Sequence, residues 1–165
     1  MPAVGDTLSG KYELVRLLGR GGMGSVFLAE QIDMARPVAL KVLNPVHSES
    51  REFSERFLNE GRIIASLNHP HIVTVYGVGE LDGRPYVALE FLEGETLRDR
   101  MEVRRPSPTE TIRLGLAIAE ALSEAHEHGV LHRDLKPENV ILARDGRLRV
   151  VDFGLAKTLS EEEAL

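Results

Sequence analysis

The feature that most constrains the fold is the stretch HRDLKPENVILARDGRLRVVDFG, which covers residues 132–154. Two short apolar runs, residues 140–143 and 148–151, lie on either side of an Asp-Gly dipeptide at Asp145 and Gly146. An Asp-Gly dipeptide between two such runs is the strongest short-range signal for a β-hairpin. The stretch therefore predicts two short antiparallel strands joined by a tight turn.

The polar residues beside this hairpin predict a metal site. If Asp145 and Gly146 form a two-residue loop, Asn139 and Asp152 are equally far from the loop and face each other. An amide oxygen and a carboxylate at the open end of a hairpin suit Mg²⁺ that also binds phosphates. Asp134 lies five residues before Asn139, so we expect it to act beside this metal.

Composition and charge exclude several classes of partner. The chain of 165 residues carries a net charge of -6 with both signs interspersed, which argues against nucleic acid and against an anionic membrane. It has no cysteine, which excludes disulfides and thiol catalysis and fits a reducing cytosol. No signal-peptide pattern opens the sequence, and its most apolar helical stretch is interrupted by Arg113 and Glu120. We therefore expect a cytoplasmic protein with no nucleic-acid partner and no membrane contact.

The first half of the sequence predicts a meander of strands with one helix. Strand-like apolar runs that precede residue 92 are YELVRLLG, SVFLAE, PVALKVL, HIVTVYGV and RPYVALEF. Between the third and fourth runs, Phe53, Phe57 and Ile64 recur at helical spacing. This spacing predicts one long helix over residues 48–67.

The second half predicts helical structure before the hairpin. The segment LEGETL, residues 92–97, is typical of a linker. Ser107 and Glu110 then form a capping-box pattern, with Pro108 at the first helical position. These signals predict a helix that runs to about His128.

Glu60 lies on the apolar stripe of the predicted first helix. A buried carboxylate needs a cationic partner. Arg56 is a local candidate, but an arginine that precedes a glutamate is the weaker orientation, and such pairs contribute about 0.2–0.5 kcal/mol. We therefore favour a cationic partner from elsewhere in the chain.

Glycines in LGRGGMGSV form a G-x-G-x-x-G pattern at Gly19, Gly21 and Gly24. The pattern alone is weak, because a dinucleotide-binding fold also needs an acid about twenty residues after the first glycine. At that distance from Gly19 this sequence has Ala39, Leu40 and Lys41, so the expected acid is missing. We interpret Lys41 as a phosphate ligand that Glu60 holds in place. The alternative is a lysine whose stem merely covers apolar surface.

These motifs, in this order, resemble the protein kinases. The glycine pattern followed by Val26 is similar to the family's loop over the ATP phosphates, and VALK is similar to the strand that carries its phosphate-binding lysine, here Lys41. HRDLKPEN and DFG are similar to its catalytic and metal-binding loops. The resemblance implies an α+β, protein-kinase-like bilobal fold. It predicts a tail over residues 1–10, an ATP-binding small lobe over residues 11–92 with a five-stranded antiparallel sheet and one helix, and part of a helical large lobe over residues 93–165.

The resemblance also implies a role for each site residue. Asp134 would orient the substrate hydroxyl and accept its proton, and Lys136 would steady the transferred phosphoryl group. Asn139, which belongs to the same catalytic loop, and Asp152 would hold Mg²⁺. The residues that the resemblance assigns to ATP are Leu18, Gly19, Gly21, Gly24, Val26, Ala39, Lys41, Glu60, Leu89, Glu90, Leu92 and Ile141. The residues that are similar to the stack that aligns the two lobes are Ile64, Val75, His132 and Phe153.

Two details of the motifs narrow the resemblance. Lys136, two residues after Asp134, resembles the serine/threonine-directed branch, and the form GRGGMGSV resembles bacterial members. The implied partner is therefore a protein substrate with serine or threonine. Antibiotic kinases share the aspartate and the asparagine but usually lack the Arg-Asp-x-Lys pattern, so they are a weaker alternative. A non-catalytic nucleotide-binding or interaction module derived from a kinase is the other alternative.

The resemblance extends to Gly154, and the sequence ends at Leu165, before most of the family's activation segment. We therefore expect a fragment of a longer kinase or a degenerate gene product, with an incomplete large lobe. The predicted helix after Pro108 carries more apolar residues than a helix with one wet face needs. We expect part of this helix to be uncovered and to favour self-association.

Overall fold

A computed structural model describes residues 2–153. The chain forms two compact units. Within the described residues, one unit comprises residues 2–65 with Val75–Phe91, and the other comprises Ser66–Thr74 with residues 92–153. Gly154, which ends the DFG motif, and the acidic residues after it lie outside the described residues.

The first unit is built on a six-stranded antiparallel sheet. Its strands, β1 to β6 in chain order, are Thr7–Leu8, Tyr12–Arg20, Gly24–Gln31, Arg36–Leu43, Val75–Leu81 and Arg84–Glu90. Their order across the sheet is β1-β2-β3-β4-β6-β5. The additional strand, β1, lies in the predicted tail. Ser9 donates a hydrogen bond to the Asp82 carboxylate at 3.0 Å, which ties the end of β1 to the β5–β6 turn.

Alternation along the strands gives this sheet one strongly apolar face. The buried residues of its core are Leu8, Tyr12, Leu14, Phe27, Ala29, Val38, Leu40, Val42, Leu81, Tyr86 and Ala88. The rings of Tyr12 and Tyr86 meet edge to face, with their centroids 5.5 Å apart. Because Leu40 and Val42 face this core, Lys41 between them lies on the opposite face of the sheet.

The predicted first helix is present but shorter than residues 48–67. A single turn, α1, spans Pro45–Ser48, and the helix itself, α2, spans Arg51–Ala65. The break occurs because Ser50 accepts a hydrogen bond from the Phe53 N–H at 3.4 Å, so that Ser50 starts a new helix.

The prediction that the fourth strand starts at His71 was wrong. β5 begins at Val75, whereas Ile72 forms a parallel bridge with Val150 inside the second unit. The Val150 N–H donates to the His71 carbonyl at 2.8 Å, and the Val73 N–H donates to the Val150 carbonyl at 3.1 Å. The apolar run therefore divides, because its first residues pair with a different sheet.

In the part of the chain that the structure describes, the second unit combines a small antiparallel sheet with two α-helices. Its strands β7 to β9 are Gly94–Thr96, Val140–Ala143 and Leu148–Val150, and its helices α3 and α4 are Leu97–Val103 and Pro108–Glu127. The order across the sheet is β7-β8-β9. The linker prediction for residues 92–97 was wrong, because Gly94 pairs with Ala143 and β7 extends the hairpin. β7 is too short to carry an alternating pattern of its own.

Helix α4 begins and ends as predicted. Ser107 accepts a hydrogen bond from the Glu110 N–H at 3.2 Å, Pro108 lies in the first turn, and His128 is the C-cap residue. Leu114 is buried. No helix among the described residues is long and apolar enough to cross a membrane.

Candidate active site

The hairpin of the second unit has a different register from the predicted one. Val140 pairs with Val150, and the Val151 N–H donates to the Asn139 carbonyl at 2.9 Å. Asn139 therefore faces Val151, one residue before Asp152. The two predicted metal ligands still lie at the same end of the hairpin, but they are not directly opposite each other.

The register differs because the loop contains three residues. The Ala143 N–H donates to the Arg147 carbonyl at 3.1 Å, which leaves residues 144–146 in the loop. A two-residue type I′ loop would need positive φ at both Asp145 and Gly146. Among these described loop residues only Gly146 has it, at 82°. A three-residue loop with glycine in the left-handed region is the next most common solution.

Asp145 explains why the shorter loop does not form. Its carboxylate accepts hydrogen bonds from the Arg147 N–H at 2.9 Å and from the buried Arg149 guanidinium at 2.7 Å. The hydrogen bond from Arg149, followed by that from Arg147, lowers the pKa of the Asp145 carboxyl. These bonds hold Asp145 in a local turn in which its φ stays negative.

Three of the predicted site residues lie in one loop before the hairpin. The Asn139 side-chain amide donates to the backbone carbonyl of Asp134 at 2.9 Å and to its Oδ2 at 3.4 Å. Lys136 Nζ lies 3.2 Å from the same Oδ2. The Asp134 side chain keeps 28 % of its surface exposed and that of Lys136 keeps 49 %. The structure therefore brings together a carboxylate, an ammonium group and an amide, with the carboxylate open to a ligand.

His132 connects this loop to the strand end that carries Asp152. Its Nδ1 accepts a hydrogen bond from the Asp134 N–H at 3.2 Å, and its Nε2 lies 2.8 Å from the Val151 carbonyl. Since a carbonyl only accepts, the ring must carry its proton on Nε2. The buried His132 ring also packs on Phe153, with centroids 4.7 Å apart. His132 thus positions the backbone of Asp134 without contributing a reactive group.

Arg133, which precedes Asp134, and the predicted metal ligand Asp152 have strained backbones. Arg133 has a φ of 63° and Asp152 a φ of 56°, both in the left-handed region. Such conformations cost non-glycine residues about 1–3 kcal/mol and concentrate at functional sites. Arg133 carries no sequence signal for this conformation, whereas Asp152 is of a residue type that adopts positive φ more often than most non-glycine residues.

The glycine loop and Lys41 belong to the first unit, where strand pairing sets their relation. Lys41 pairs with Val26 of β3 and with Val87 of β6, and Ala39 pairs with Leu89. Paired residues share a face of a sheet, and so do residues two apart on one strand. Val26, Ala39, Lys41 and Leu89 therefore share one face.

Helix α2 packs on the same face as Lys41. An added Cβ at Gly61 would lie 2.9 Å from a methyl group of Val87, the strand partner of Lys41. Glu60 precedes Gly61 in this helix and is half-buried. The predicted contact between Lys41 and Glu60 is thus compatible with the packing of the first unit, and it stays a prediction.

Two residues that the sequence analysis did not single out contact the glycine loop. Asn44 and His47 donate side-chain hydrogen bonds to carbonyls of residues 21 and 22. The only sequence signal at this point is Asn44 before Pro45, which predicts a helix cap. Sequence spacing could not predict contacts between residues more than twenty positions apart.

A cavity of about 480 Å³ opens elsewhere in the second unit, among α3, α4 and the hairpin. Its lining includes Leu114, Leu148, Arg113 and Arg147, and none of the predicted site residues contributes to it. This cavity is therefore not the predicted nucleotide site.

The sequence profile described as protein kinase domain matches residues 12–165. The chain belongs to the protein kinase family. It is 39% identical over 158 residues to the serine/threonine-protein kinase PrkC of Bacillus subtilis, a match that covers 95% of this chain and 24% of PrkC. It is also 39% identical over 159 residues to PknB of Mycolicibacterium smegmatis, with 93% of this chain and 25% of PknB covered.

A solved structure gives the same result for the fold of this kinase. The crystal structure of the Mycobacterium tuberculosis PknI kinase domain superposes with a TM-score of 0.80 at 39% identity, and the match covers 95% of this chain and 64% of that domain. The predicted protein-kinase fold is confirmed, with six strands in the sheet of the first unit instead of five. The kinase chain spans about a quarter of the length of the curated relatives that it matches.

Proposed function

We propose that this chain supplies the ATP-binding and phosphoryl-transfer residues of a serine/threonine protein kinase. The observation that carries the proposal is the loop in which Asn139 and Lys136 both contact Asp134. The family generally uses ATP and Mg²⁺. The cysteine-free composition supports a reducing, cytoplasmic compartment for this part of the protein.

In this proposal, Asp134 is the catalytic base. Its partly exposed carboxylate accepts the proton of the serine or threonine hydroxyl as that oxygen attacks the γ-phosphorus, and the bond from phosphorus to the leaving ADP oxygen breaks. The ammonium group of Lys136, 3.2 Å from this carboxylate, stabilises negative charge on the transferred group. Asn139 keeps the loop closed through its bond to the Asp134 carbonyl.

The donor set fits a magnesium ion that arrives with a nucleotide. Among the described residues, no group of three or more His, Cys, Asp or Glu side chains forms a metal site. Asn139 and Asp152 would hold the ion, because Mg²⁺ in such sites takes one or two protein oxygens and completes its shell with phosphate and water. When bound, Mg²⁺ supplies neutralisation of the phosphate charge.

Four of the residues proposed to bind ATP share one face of the sheet of the first unit. Val26, Ala39 and Leu89 offer apolar surface to adenine, and Lys41 offers a cation to the phosphates. Glu60 on the overlying helix would orient Lys41. The remaining proposed contacts, taken from the family resemblance, are Leu18, Gly19, Gly21, Gly24, Glu90, Leu92 and Ile141.

Titration with ATP at several Mg²⁺ concentrations tests this proposal. The wild-type chain should bind ATP more tightly as Mg²⁺ rises, and Asp152→Asn should abolish that dependence. Glu127→Gln is a matched control, since Glu127 is an exposed acid of the same unit on α4. An unchanged metal dependence in Asp152→Asn would remove the metal site from this hairpin.

The lysine is tested on the same sample. Lys41→Met should weaken ATP binding, and Glu60→Gln should weaken it less by releasing the lysine. Wild-type affinity in Glu60→Gln would contradict the pairing of Lys41 with Glu60. Phosphorylation of an added serine/threonine protein by a full-length parent separates the two function classes, because a non-catalytic module binds ATP without transfer.

A further inference from the structure

Three consecutive carbonyl groups of the glycine loop accept hydrogen bonds from one short segment. The Asn44 side-chain amide donates to the carbonyls of Gly22 at 3.0 Å and Gly21 at 3.3 Å. The Asn44 backbone N–H donates to the Met23 carbonyl at 2.9 Å. His47 Nε2 lies 3.2 Å from the Gly22 carbonyl and donates to it. The loop is thus held along one side.

These bonds fix the direction of the loop's N–H groups. All described peptide bonds are trans. In a planar trans peptide the carbonyl of one residue and the N–H of the next point in opposite directions. Because the carbonyls of residues 21–23 point to Asn44 and His47, the N–H groups of Gly22, Met23 and Gly24 point away from them. Successive N–H groups on one side of a backbone form an anion-binding surface.

The Asn44 side chain does not make its usual local contact. It occupies the N-cap position of α1, where an asparagine side chain normally accepts a hydrogen bond from the first turn. In this described segment Asn44 makes no side-chain cap hydrogen bond. Its side-chain amide is directed instead to a loop more than twenty residues earlier in the chain.

His47 gives the segment a fixed second attachment. Its ring stacks on Phe53 of α2, with centroids 4.4 Å apart and planes 15° apart. The stack restricts rotation of the imidazole, so that Nε2 stays directed at the Gly22 carbonyl. The glycine loop is therefore connected through His47 to a helix, and not only to its neighbouring strands.

We propose that Asn44 is a positioning residue for the nucleotide phosphates. It holds the glycine loop in the conformation in which the N–H groups of Gly22, Met23 and Gly24 face the phosphates. A glycine-rich loop without this contact would lose more conformational freedom on binding, because glycine has the most freedom to lose. This inference rests on the proposed binding of ATP.

The test compares MgATP with adenosine in Asn44→Leu, a variant of similar shape that lacks the amide donor. The dissociation constant for MgATP should rise about five- to tenfold, the effect of one or two lost hydrogen bonds. That for adenosine, which has no phosphate, should change less than about twofold. Asn44→Gln, which keeps the donor, should recover part of the MgATP affinity. Asn59→Leu, at an exposed position of α2, is the control.

A measurement without nucleotide tests the contact itself. The ¹⁵N order parameters of Gly22 and Met23 should fall in Asn44→Leu while those of α2 stay unchanged. Equal losses of MgATP and adenosine affinity, or unchanged order parameters, would overturn the role of Asn44. A wild-type chain that binds adenosine and MgATP equally would overturn the proposed phosphate site, and the role of Asn44 with it. A wild-type preference for MgATP that Asn44→Leu retains would overturn the role of Asn44 alone.

Discussion

Three neighbours hold Asp134 at different atoms. The shorter bond from Asn139 reaches the backbone carbonyl, whereas Lys136 reaches the carboxylate. His132 also contacts the backbone N–H of Asp134. The loop should therefore keep its shape when the carboxylate is changed, and this separates the chemistry of Asp134 from its structural setting.

The substitution Asp134→Asn should lower kcat while ATP affinity stays nearly unchanged. Loss of a general base typically costs about 10²- to 10⁴-fold in rate. A group that acts mainly in the transition state affects kcat and kcat/KM together. Steady-state kinetics in a full-length parent measure both constants. The control is Asn139→Ala, which opens the loop and should impair both kcat and nucleotide binding. If Asp134→Asn lost as much ATP affinity as Asn139→Ala does, Asp134 would have a structural role.

Because of Tyr12, the stability of the first unit should fall at alkaline pH. Burial raises the pKa of the Tyr12 phenol well above its usual range, and the hydrogen bond with Tyr86 raises it further. The folded state therefore binds this proton more tightly than the unfolded state does. The corresponding stability is fully present below the ordinary tyrosine pKa of about 10 and is lost as pH rises above it.

Urea unfolding between neutral pH and pH 11 tests this assignment. At neutral pH, Tyr12→Phe should be less stable than wild type by about 0.5–1.5 kcal/mol, because it loses the bond to Tyr86. This difference in stability should shrink as pH rises, since only the wild type carries a phenol at position 12. Tyr76→Phe, at an exposed position, should show a constant difference from wild type. A constant difference in Tyr12→Phe as well would show that Tyr12 does not govern the alkaline loss.

Two hairpins with the same dipeptide show how far sequence pattern predicts strands. Asp82 and Gly83 both have positive φ and form the two-residue loop that the pattern predicts. Asp145 and Gly146 do not, because the Asp145 carboxylate bonds to Arg147 and Arg149. The dipeptide predicts a hairpin in both cases. The register depends on the bonds that Asp145 accepts from the backbone N–H two residues further along and from the guanidinium group four residues further along.

Other elements were missed because their stability comes from partners distant in sequence. Gly94–Thr96 becomes a strand by pairing with β8. Residues 71–73 leave their predicted strand because Val150 pairs with them. The residues of the loop from Asp134 to Asn139 could be singled out through their resemblance to kinases. The contact of Asn44 with the glycine loop was not, because neither periodicity nor a motif connects the two segments.

Substitution of glycine by alanine should have opposite effects at Gly146, in the three-residue loop, and at Gly115, in helix α4. An added Cβ meets nothing within 4 Å at either Gly146 or Gly115. Gly146→Ala should destabilise by about 1–2 kcal/mol, because alanine is strained at positive φ. Gly115→Ala in α4 should stabilise by about 0.5–1 kcal/mol through helix propensity. Urea unfolding of the two variants measures both changes. Equal effects would contradict the left-handed conformation of Gly146.

Helix α4 carries apolar residues on two of its faces, one buried and one exposed. Leu114 is 8% exposed, and Ala121 and Ala125 further along the helix are fully buried. Ile112 and Leu116 are 66% and 60% exposed and lie four residues apart, on one stripe of the helix. Full burial of one such side chain contributes about 1.5–3 kcal/mol. Burial of both side chains against a second copy of the chain would therefore favour association.

We predict that residues 1–165, expressed alone, self-associate through Ile112 and Leu116 and transfer little phosphate to protein substrates. The double variant Ile112→Gln with Leu116→Gln should shift the mass in sedimentation equilibrium toward the monomer. Its thermal stability should change by less than about 1 kcal/mol, because exposed sites away from special contacts usually change stability by about 0.5 kcal/mol each. Leu114→Gln is the matched control on the buried face and should destabilise by about 2–5 kcal/mol without specifically releasing the monomer. A wild-type chain that stays monomeric at high concentration, melts sharply and phosphorylates an added serine/threonine substrate would contradict this prediction, because the exposed stripe would then need no partner.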